Sequence, residues 1–460
     1  AIWDWVDQAI YEPTDIKNGT YEGRLHTGYD FPGPHQGNFC SNGIIPATRH
    51  ESPKLKEVKA VYQYIKFQLE GTDADKNTAS VKLQNTYDFI STEGFELVWE
   101  VVKNGNIAGT SQMRLDAIAP EADQLVTLDL KGVQLKDAAA ASEEVMLNLY
   151  VKDMQERTWA AAGHLIAQQQ FELSKRGNLP ELRVNSRVGK LEIAKDEKSL
   201  TVKNSFIEGT FCLATGQMTA LKVNGMDVIY GKEGFIYDNH RWIENDGFKQ
   251  TENGLNATGT CEATETADGK VIVKTTRDGS LCGTEINYTF LPNGVMDMDV
   301  KFLPKTANLR RTGLVCSVNA GLDNVDYYAY GPWENYIDRK DGCMVGRYHT
   351  TVKDMVERYV KPQSMGNREG LRELKLTNKQ GEGIRIETEG NVSFSTLRYT
   401  DADLMNAKHM WELQERPCII LHLDAQIRGL GNASCGPETL QTYKIPLMPV
   451  SFKLRISACN

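Results

Sequence analysis

The chain has 460 residues, more than one hydrophobic core usually organises, so two or three domains are expected. Apolar residues make up 40% of the chain and charged residues 25%, a composition typical of a folded, soluble protein. The net charge of −9 argues against a nucleic-acid partner, whose phosphates require a basic surface. No apolar run approaches the length of a bilayer span, so no membrane partner is expected.

The nine cysteines are scattered along the chain, odd in number, and form no C-x-x-C pair. This pattern favours free thiols, buried as small hydrophobic groups, over a disulfide framework or a zinc site. Free thiols are typical of a reducing compartment. The expected location is therefore the cytoplasm, with the periplasm as the alternative.

The opening residues alternate aromatic and acidic side chains over positions 3–7. This period of two predicts a short strand with both indole rings on one face. A tryptophan at the end of a barrel strand can stack on a sugar ring, although burial of both rings in a core is the simpler interpretation of this stretch alone. A polar loop rich in glycine and proline follows, and a helix is predicted to begin near Pro53. Strand, loop and helix are typical of the last βα unit of a (β/α)₈ barrel, so residues 1–65 are not expected to form an independent domain.

Period-two alternation dominates the remainder of the chain. Residues 66–175 contain short strands separated by turn signals such as Asn104-Gly105, which predicts an immunoglobulin-like β-sandwich. Residues 176–187 are a plausible linker. Residues 188–460 carry several hairpin-type turns, among them Asn293-Gly294 between two alternating strands, and predict a large two-sheet sandwich. The fold class is therefore expected to be mainly β.

Several motifs together carry a family resemblance. They lie at Asn38–Ile45, Thr158–His164 with Gln168–Gln170, Phe211–Gly225, Tyr330–Arg339, Pro362–Arg368, Leu397–His409 and Leu423–Gly431. The most specific is Tyr330–Arg339, which is similar to a G-P-x-E-N-Y-x-D-R signature. With the opening W-D-W-x-D-Q run, these motifs resemble long bacterial β-galactosidases of glycoside hydrolase family 2 over essentially the whole chain. The resemblance implies a barrel end, an immunoglobulin-like sandwich and a galactose-mutarotase-like supersandwich.

The catalytic chemistry implied by this resemblance lies elsewhere. Family 2 enzymes resemble the retaining template, in which one Glu is the general acid/base and a second is the nucleophile. Both are expected upstream of the W-D-W element, in N-E and E-Y-x-H-A motifs that this sequence does not contain. The Mg²⁺ ligands of the parent enzyme are expected upstream as well. The chain is therefore expected to be the C-terminal portion of a β-galactosidase and inactive alone, with no catalytic residue of its own.

Three positions are expected, by the same resemblance, to act at the substrate. Trp3 would stack on the galactosyl ring, and Asn42 would approach the sugar while giving its side-chain oxygen to a Na⁺ ion. Phe39 would give its backbone carbonyl to the same ion, since oxygen ligands suit a hard cation. A third ligand, an Asp from an earlier domain, is not in this chain, so weak Na⁺ binding is expected.

Two other glutamates are candidates for a separate site. Glu334, in the G-P-W-E-N-Y loop, and Glu244, in a second loop, are interpreted first as residues that hold loops by hydrogen bonds. Gating by the Glu244 loop, near the active-site mouth of relatives, is the other interpretation. One departure concerns residues 431–437, which lack the tryptophan that lines the leaving-group side in relatives. The preferred leaving-group sugar is therefore expected to differ from the glucose of lactose.

The expected partners are a β-galactoside substrate, the missing N-terminal part of the same enzyme, and further copies in a homo-oligomer. The alternatives are a non-catalytic carbohydrate-binding β-sandwich module and a purely structural or oligomerisation module. The first hypothesis predicts an exposed apolar surface on residues 1–65, where the rest of a barrel would pack.

Overall fold

The computed structural model describes residues 2–19, 24–37, 39, 41–183, 189–244, 246, 257–431 and 436–459. The chain folds into two compact units. The first comprises Ala1–Lys54, Leu179–Lys340 and Tyr348–Asn460, and the second comprises Leu55–Asn178 and Asp341–Arg347. The division at 1–65, 66–175 and 188–460 stays a prediction.

Helices are few and short. Within the described ranges they are α1 (Pro13–Asn18), α2 (Pro53–Val61), α3 (Leu135–Ala140) and α4 (Asp401–Asn406). Helix α2 begins at the predicted proline, whose missing N–H is tolerated in a first turn. None of the helices described is both long and apolar enough to cross a bilayer.

The second unit is a sandwich of two antiparallel sheets. Its strands are β1 (Ile65–Asp73), β2 (Thr78–Asn85), β3 (Phe95–Lys103), β4 (Asn106–Arg114), β5 (Asp123–Asp129), β6 (Val145–Asp153) and β7 (His164–Ser174). The sheet orders are β1-β2-β5 and β4-β3-β6-β7. One face of each sheet is apolar and the two faces form a shared core that includes Leu83, Leu97, Leu128 and Leu147. The predicted immunoglobulin-like sandwich is confirmed.

The remaining strands belong to three sheets and lie in the first unit, except that β20 begins within the 341–347 segment of the second unit. They are β8 (Glu192–Lys195), β9 (Ser199–Lys203), β10 (Ile207–Cys212), β11 (Met218–Val223), β12 (Met226–Asp227), β13 (Ile236–Asp238), β14 (Thr258–Glu265), β15 (Val271–Asp278), β16 (Cys282–Phe290), β17 (Met296–Pro304), β18 (Arg311–Asn319), β19 (Asn324–Gly331), β20 (Met344–Thr351), β21 (Glu373–Thr377), β22 (Gly383–Glu389), β23 (Ser393–Leu397), β24 (Cys418–Ile427) and β25 (Val450–Cys459). The sheet orders are β12-β11-β10-β9-β8, β13-β18-β24-β23 and β14-β15-β16-β17-β25-β22-β21-β19-β20. These strands make the chain mainly β, as predicted.

The β16–β17 hairpin shows how sequence alternation builds the core of the first unit. Ile286 lies opposite Val300, and Tyr288 lies opposite Met298, so apolar side chains fall on one face of the pair. All four are buried in the large core. Gly294 adopts a positive φ of 83° in the connecting turn, which glycine accommodates without strain.

The N-terminal segment differs from its prediction. Positions 4–7 run parallel to positions 42–45, with Val6 and Ile45 forming an isolated bridge in place of a full strand. Trp3 is 81% exposed and Trp5 49%, so neither indole lies in a core. Ile10, Ile16 and Phe39 are also exposed. The predicted apolar surface on the first part of the chain is therefore present.

The seven cysteines of the described residues are free thiols, as predicted. Cys40 and Cys435 lie outside the described residues. Burial raises the pKa of the Cys261 thiol to about 11, which favours an unreactive, protonated group.

Candidate functional site

A cleft of about 340 Å³ in the first unit brings together residues that are far apart in sequence. Its polar and aromatic lining includes Asp7, Phe39, Ser41, Asn42, Lys54, Glu244, Glu334, Tyr336, Arg339, Tyr359, Lys361 and Gln363. The cleft thus joins two of the predicted site residues, Phe39 and Asn42, with both glutamates that the sequence offers as candidates. Trp3 is not part of the lining described.

Backbone pairing positions one wall of the cleft. The Asp4 N–H donates to the Asn42 carbonyl at 3.0 Å, and the Asp7 N–H donates to the Ile45 carbonyl at 2.9 Å. Between these bonds the Gly43 N–H donates to Asp7 Oδ1 at 2.7 Å. A Cβ on Gly43 would lie only 2.1 Å from the Asp7 nitrogen, so only glycine permits this approach.

Two opposite charges, the half-buried Lys54 and the buried Asp7, lie behind this wall. The Lys54 ammonium donates to the Gly43 carbonyl at 2.5 Å, beside the Asp7 carboxylate. Burial lowers the pKa of Lys54, and Asp7 opposes that change. Burial raises the pKa of Asp7, and Lys54 and the Gly43 N–H oppose it. Each charge therefore offsets part of the desolvation of the other, and burial remains the larger effect on both pKa values.

Glu334 forms the centre of the opposite wall. Its carboxylate accepts hydrogen bonds from the Tyr359 hydroxyl at 2.7 Å and the Gly366 N–H at 2.8 Å, and forms an ion pair with Arg339. The residue is only 2% exposed. Burial, and then Glu334, raise the pKa of Tyr359 well above its usual value, so its hydroxyl stays a donor. The interpretation of Glu334 as a residue that holds a loop is confirmed.

Motifs that are separated in sequence meet at this carboxylate and its neighbours. Gly366 of the 362–368 motif contacts Glu334 of the 330–339 motif. Next to it, the Asn335 amide donates to the Tyr330 and Trp333 carbonyls at 3.1 and 2.9 Å. The signature therefore stabilises a turn from within and is tied to the second motif through a buried charge.

The Glu244 loop contacts the same region. Its backbone N–H donates to Gln363 Oε1 at 2.9 Å. Asp246 accepts from Arg310 Nε at 2.6 Å, and Arg241 lies 3.4 Å from the same carboxylate oxygen. Asn245 and Gly247 lie outside the described residues, as do 432–435 in the segment without a tryptophan.

The predicted site residues differ in their position relative to the cleft. Trp3 is exposed and is not part of the cleft lining, whereas Phe39, which is 53% exposed, lies at the edge of the cleft. Asn42 is half-buried, and its side-chain NH₂ group donates to the Phe39 carbonyl. The two proposed ion ligands therefore lie side by side. Asn38 and Cys40 of the same motif lie outside the described residues.

The second half of the chain matches a known family. The model described as "Beta galactosidase small chain" matches residues 203–456, more than half of the chain. The chain belongs to the β-galactosidase small-chain family. The model of β-galactosidase domain 4 matches residues 81–174, and that of the family 2 glycosyl hydrolase TIM barrel domain matches residues 1–67.

Curated relatives of this small-chain protein are named β-galactosidases. That of Priestia megaterium is 27% identical over 94% of this chain and 41% of its own length. That of Actinobacillus pleuropneumoniae is 24% identical over 99% of this chain and 44% of its own length. The chain thus spans less than half the length of these relatives. A solved galactose 1-epimerase from Lactobacillus acidophilus NCFM is similar over 58% of this chain and 98% of its own, with 10% identity and a TM-score of 0.37.

The small-chain region also contains a buried charged cluster that the sequence did not indicate. Arg311 donates to Asp401 Oδ2 at 3.1 Å and lies 3.2 Å from Asp424 Oδ2. Asp238 lies 3.9 Å from the same guanidinium. Burial raises the pKa values of Asp238 and Asp424 to about 7, against the opposing effect of Arg311. The cluster contacts the cleft lining through Ser364, whose hydroxyl donates to Asp401.

A further polar cluster, around His409, contacts the loop that contains Asp30 and precedes the predicted ion ligands. His409 lies between two carboxylates, with Nε2 2.7 Å from Asp30 and Nδ1 2.7 Å from Glu412. Its ring stacks on Trp411 with centroids 4.1 Å apart. The histidine therefore has a structural role in these contacts. Within the described ranges, no set of three His, Cys, Asp or Glu side chains could hold a metal ion.

Sequence reasoning missed Asp7, Lys54 and the Arg311 cluster as parts of the site. A signal for Asp7 was present, since it completes the W-D-W-x-D run that the resemblance used. Lys54 and Arg311 carried none, because their partners are distant in sequence and no local spacing marks such contacts.

Proposed function

We propose that this chain is the C-terminal part of a retaining β-galactosidase of glycoside hydrolase family 2. In this proposal it supplies substrate-facing side chains, while both catalytic glutamates and the Mg²⁺ ligands lie in the remainder of the enzyme. The activity is hydrolysis of terminal β-D-galactosyl residues.

One observation carries this proposal. Residues 1–67 match a TIM barrel domain, yet a complete (β/α)₈ barrel takes roughly 250 residues. Within the first unit, the matched segment leaves Trp3, Trp5, Ile10 and Phe39 exposed. Several large apolar side chains along one segment are typical of a surface that another element covers. We infer that the rest of the barrel, with its catalytic acids, packs there.

The ion ligands fit the chemistry of Na⁺ in part. Rotation of the Asn42 amide by 180° replaces its NH₂ group with Oδ1 beside the Phe39 carbonyl, so two oxygens then face one point. Oxygen ligands of this kind suit a hard cation. Two ligands leave the shell incomplete, so we propose that Na⁺ binds firmly only when the rest of the enzyme adds its own oxygen. Trp3 is proposed to stack on the galactosyl ring.

The test is a chromogenic β-galactoside assay on the purified chain, alone and after co-expression with the polypeptide that supplies the remaining barrel. We expect no turnover from the chain alone and sustained turnover from the combined enzyme. Stoichiometric turnover by the chain alone would place the catalytic groups within it. An inactive combined enzyme would reject β-galactoside hydrolysis.

A further inference from the structure

We propose that a second pocket of the first unit, beside strand β24, binds a neutral cyclic polyol such as a monosaccharide unit. This β24 pocket has a volume of about 310 Å³ and lies between the end of β24 and residues 441–446. Its described lining shares no residue with that of the cleft. The inference goes beyond the proposed function, since it requires neither the galactosyl site nor the catalytic glutamates.

An irregular end of one sheet forms this pocket. Strand β23 pairs with β24 as far as Ser393, whereas β24 continues to Ile427. Ala425 is an extra residue in β24, because the pairing with β18 passes directly from Asp424 to Gln426. Such a bulge bends the strand and re-aims the neighbouring side chains, and bulges are frequent beside functional sites. Ser393, Ala425, Gln426 and Ile427 all line the pocket.

The polar part of the lining leaves an acceptor for a ligand. Gln426 Oε1 is buried and has no hydrogen-bond partner among the described residues. Buried acceptors are nearly always paired in folded proteins, so a hydroxyl donated by a ligand would satisfy this oxygen. Six lining side chains can form hydrogen bonds: Glu369, Asn391, Ser393, Gln426, Gln441 and Thr442.

Glu369 suits a hydroxyl ligand in either of its protonation states. The residue is 6% exposed, and its Oε1 accepts a hydrogen bond from the Asn367 amide at 3.0 Å. Burial raises the pKa of Glu369 to about 7, against the opposing effect of Lys340. Near neutral pH the carboxyl group is therefore present both protonated and ionised. A hydroxyl can accept from the first form and donate to the second, whereas a cation requires the ionised form.

The charge of the lining favours a neutral ligand. Its charged residues in the described part of the chain are one acid and one base, Glu369 and Lys444. A phosphorylated ligand would find a single cation and would also meet the Glu369 carboxyl group. Phosphate groups are usually held by charge-assisted hydrogen bonds from Arg or Lys, so this balance opposes a phosphorylated ligand.

The remaining lining is apolar, which distinguishes a ring from an open-chain polyol. Four apolar side chains contribute to it: Ile337, Ile427, Ile445 and Pro446. The half-buried Tyr443 adds an aromatic ring. A pyranose presents C–H groups on its faces and hydroxyls at its rim, so it can use both kinds of lining. The volume also falls within the range of roughly 300–1,000 Å³ that small-molecule pockets occupy.

The experiment is isothermal titration calorimetry of the purified 460-residue chain with methyl β-galactoside and, separately, with methyl β-glucoside. We expect saturable binding of at least one glycoside and weaker binding of galactitol, which has hydroxyls but no ring. Gln426→Leu removes the unpaired acceptor and should raise the Kd about 3- to 10-fold. Asn391→Ala, at an exposed position of the lining, should raise it by a similar factor.

The matched control is Gln380→Leu, at an exposed glutamine between β21 and β22 outside the pocket, which should keep the wild-type Kd. Binding of neither glycoside would overturn the inference, as would equal binding of galactitol. An unchanged Kd in both pocket variants would place the sugar elsewhere, and an equal rise in the control would remove the link to this pocket. If Gln426→Leu unfolds, Asn391→Ala decides. Absence of binding here would leave the proposed function intact, and failure of the chromogenic assay would leave this inference intact.

Discussion

Among the described glycines of the N-terminal segment, Gly43 has the closest neighbouring atoms. Its missing side chain lets positions 42–45 approach positions 4–7, and a Cβ would meet the Asp7 nitrogen and the Val6 carbonyl carbon at 2.1 and 2.5 Å. Backbone atoms cannot move away as a flexible side chain can. The Asp7 and Lys54 contacts of the cleft therefore depend on this glycine.

We expect Gly43→Ala to lower the free energy of unfolding by about 1–3 kcal/mol, since overpacking a tight contact forces backbone shifts. Urea denaturation of the chain measures this change. The control is Gly189→Ala, where a Cβ meets open space, and it should stay within about 0.5 kcal/mol of wild type. Equal midpoints for the two variants would show that the segment does not pack as described.

A substitution of Trp3 can test substrate binding with little effect on stability, because the indole is 81% exposed and buries little area. In the full-length enzyme we expect Trp3→Ala to lower kcat/KM for a β-galactoside at least about 10-fold, as loss of a sugar-stacking ring removes binding energy. The unfolding midpoint should change little. Trp159→Ala, at a 69% exposed tryptophan of the second unit, is the control and should retain wild-type kinetics. Unchanged kinetics in Trp3→Ala would remove this residue from the site.

At the scale of elements, the turn between β19 and β20 is held by one buried carboxylate. Glu334→Gln keeps the size of the side chain but leaves Arg339 without its counter-charge. Breaking a buried ion pair in this way should cost about 3–5 kcal/mol of unfolding free energy. Glu285→Gln is the control, because the Glu285–Lys301 pair is about half exposed and should contribute no more than about 1 kcal/mol. Similar losses in both variants would contradict the assigned role of Glu334.

The same elements show how far the sequence predicts the structure. The β16–β17 hairpin was predictable, since its alternation and Asn293-Gly294 turn are local signals that agree with each other. The opening residues alternate as a strand does but form a single bridge, because among the described residues only positions 42–45 pair with positions 4–7. Strand formation depends on pairing partners as well as on pattern.

The site was predictable to a smaller extent. Family motifs placed Phe39 and Asn42 at the substrate, and the structure brings both to one cleft. The hydrogen bonds of Asp7 and Lys54 to Gly43, and the carboxylates around Arg311, join residues that are distant in sequence. No spacing rule encodes such contacts, so they emerge only when the sheets are assembled.

Across the whole first unit, buried charges lie next to one another in the core behind the cleft. Arg311 faces Asp238, Asp401 and Asp424, and His422 lies within 4.0 Å of Asp401 and 3.9 Å of Asp238. Burial and then Arg311 lower the pKa of His422 well below its usual value. For Asp401 burial acts upward, but Arg311 and the histidines outweigh it and lower the pKa. The pKa values of Asp238 and Asp424 are thus raised, whereas those of Asp401 and His422 are lowered. Their effects on the pH dependence of the unfolding free energy oppose one another, so the total does not reveal the contribution of any one group.

The difference between wild type and Asp424→Asn isolates one of these contributions. The folded state holds the Asp424 proton up to a pKa of about 7, whereas the unfolded chain releases it near 3.8. The folded state thus binds more protons between about pH 4 and pH 7, so this group's contribution to stability falls as pH rises through that window.

The contributions of the histidines, which are present in both proteins, cancel when Asp424→Asn is compared with wild type. Relative to wild type, Asp424→Asn should become progressively more stable from pH 5 to pH 7, by at most about 1.4 kcal/mol per pH unit. Urea denaturation at several pH values measures this slope. Parallel pH profiles for Asp424→Asn and wild type would contradict the raised pKa.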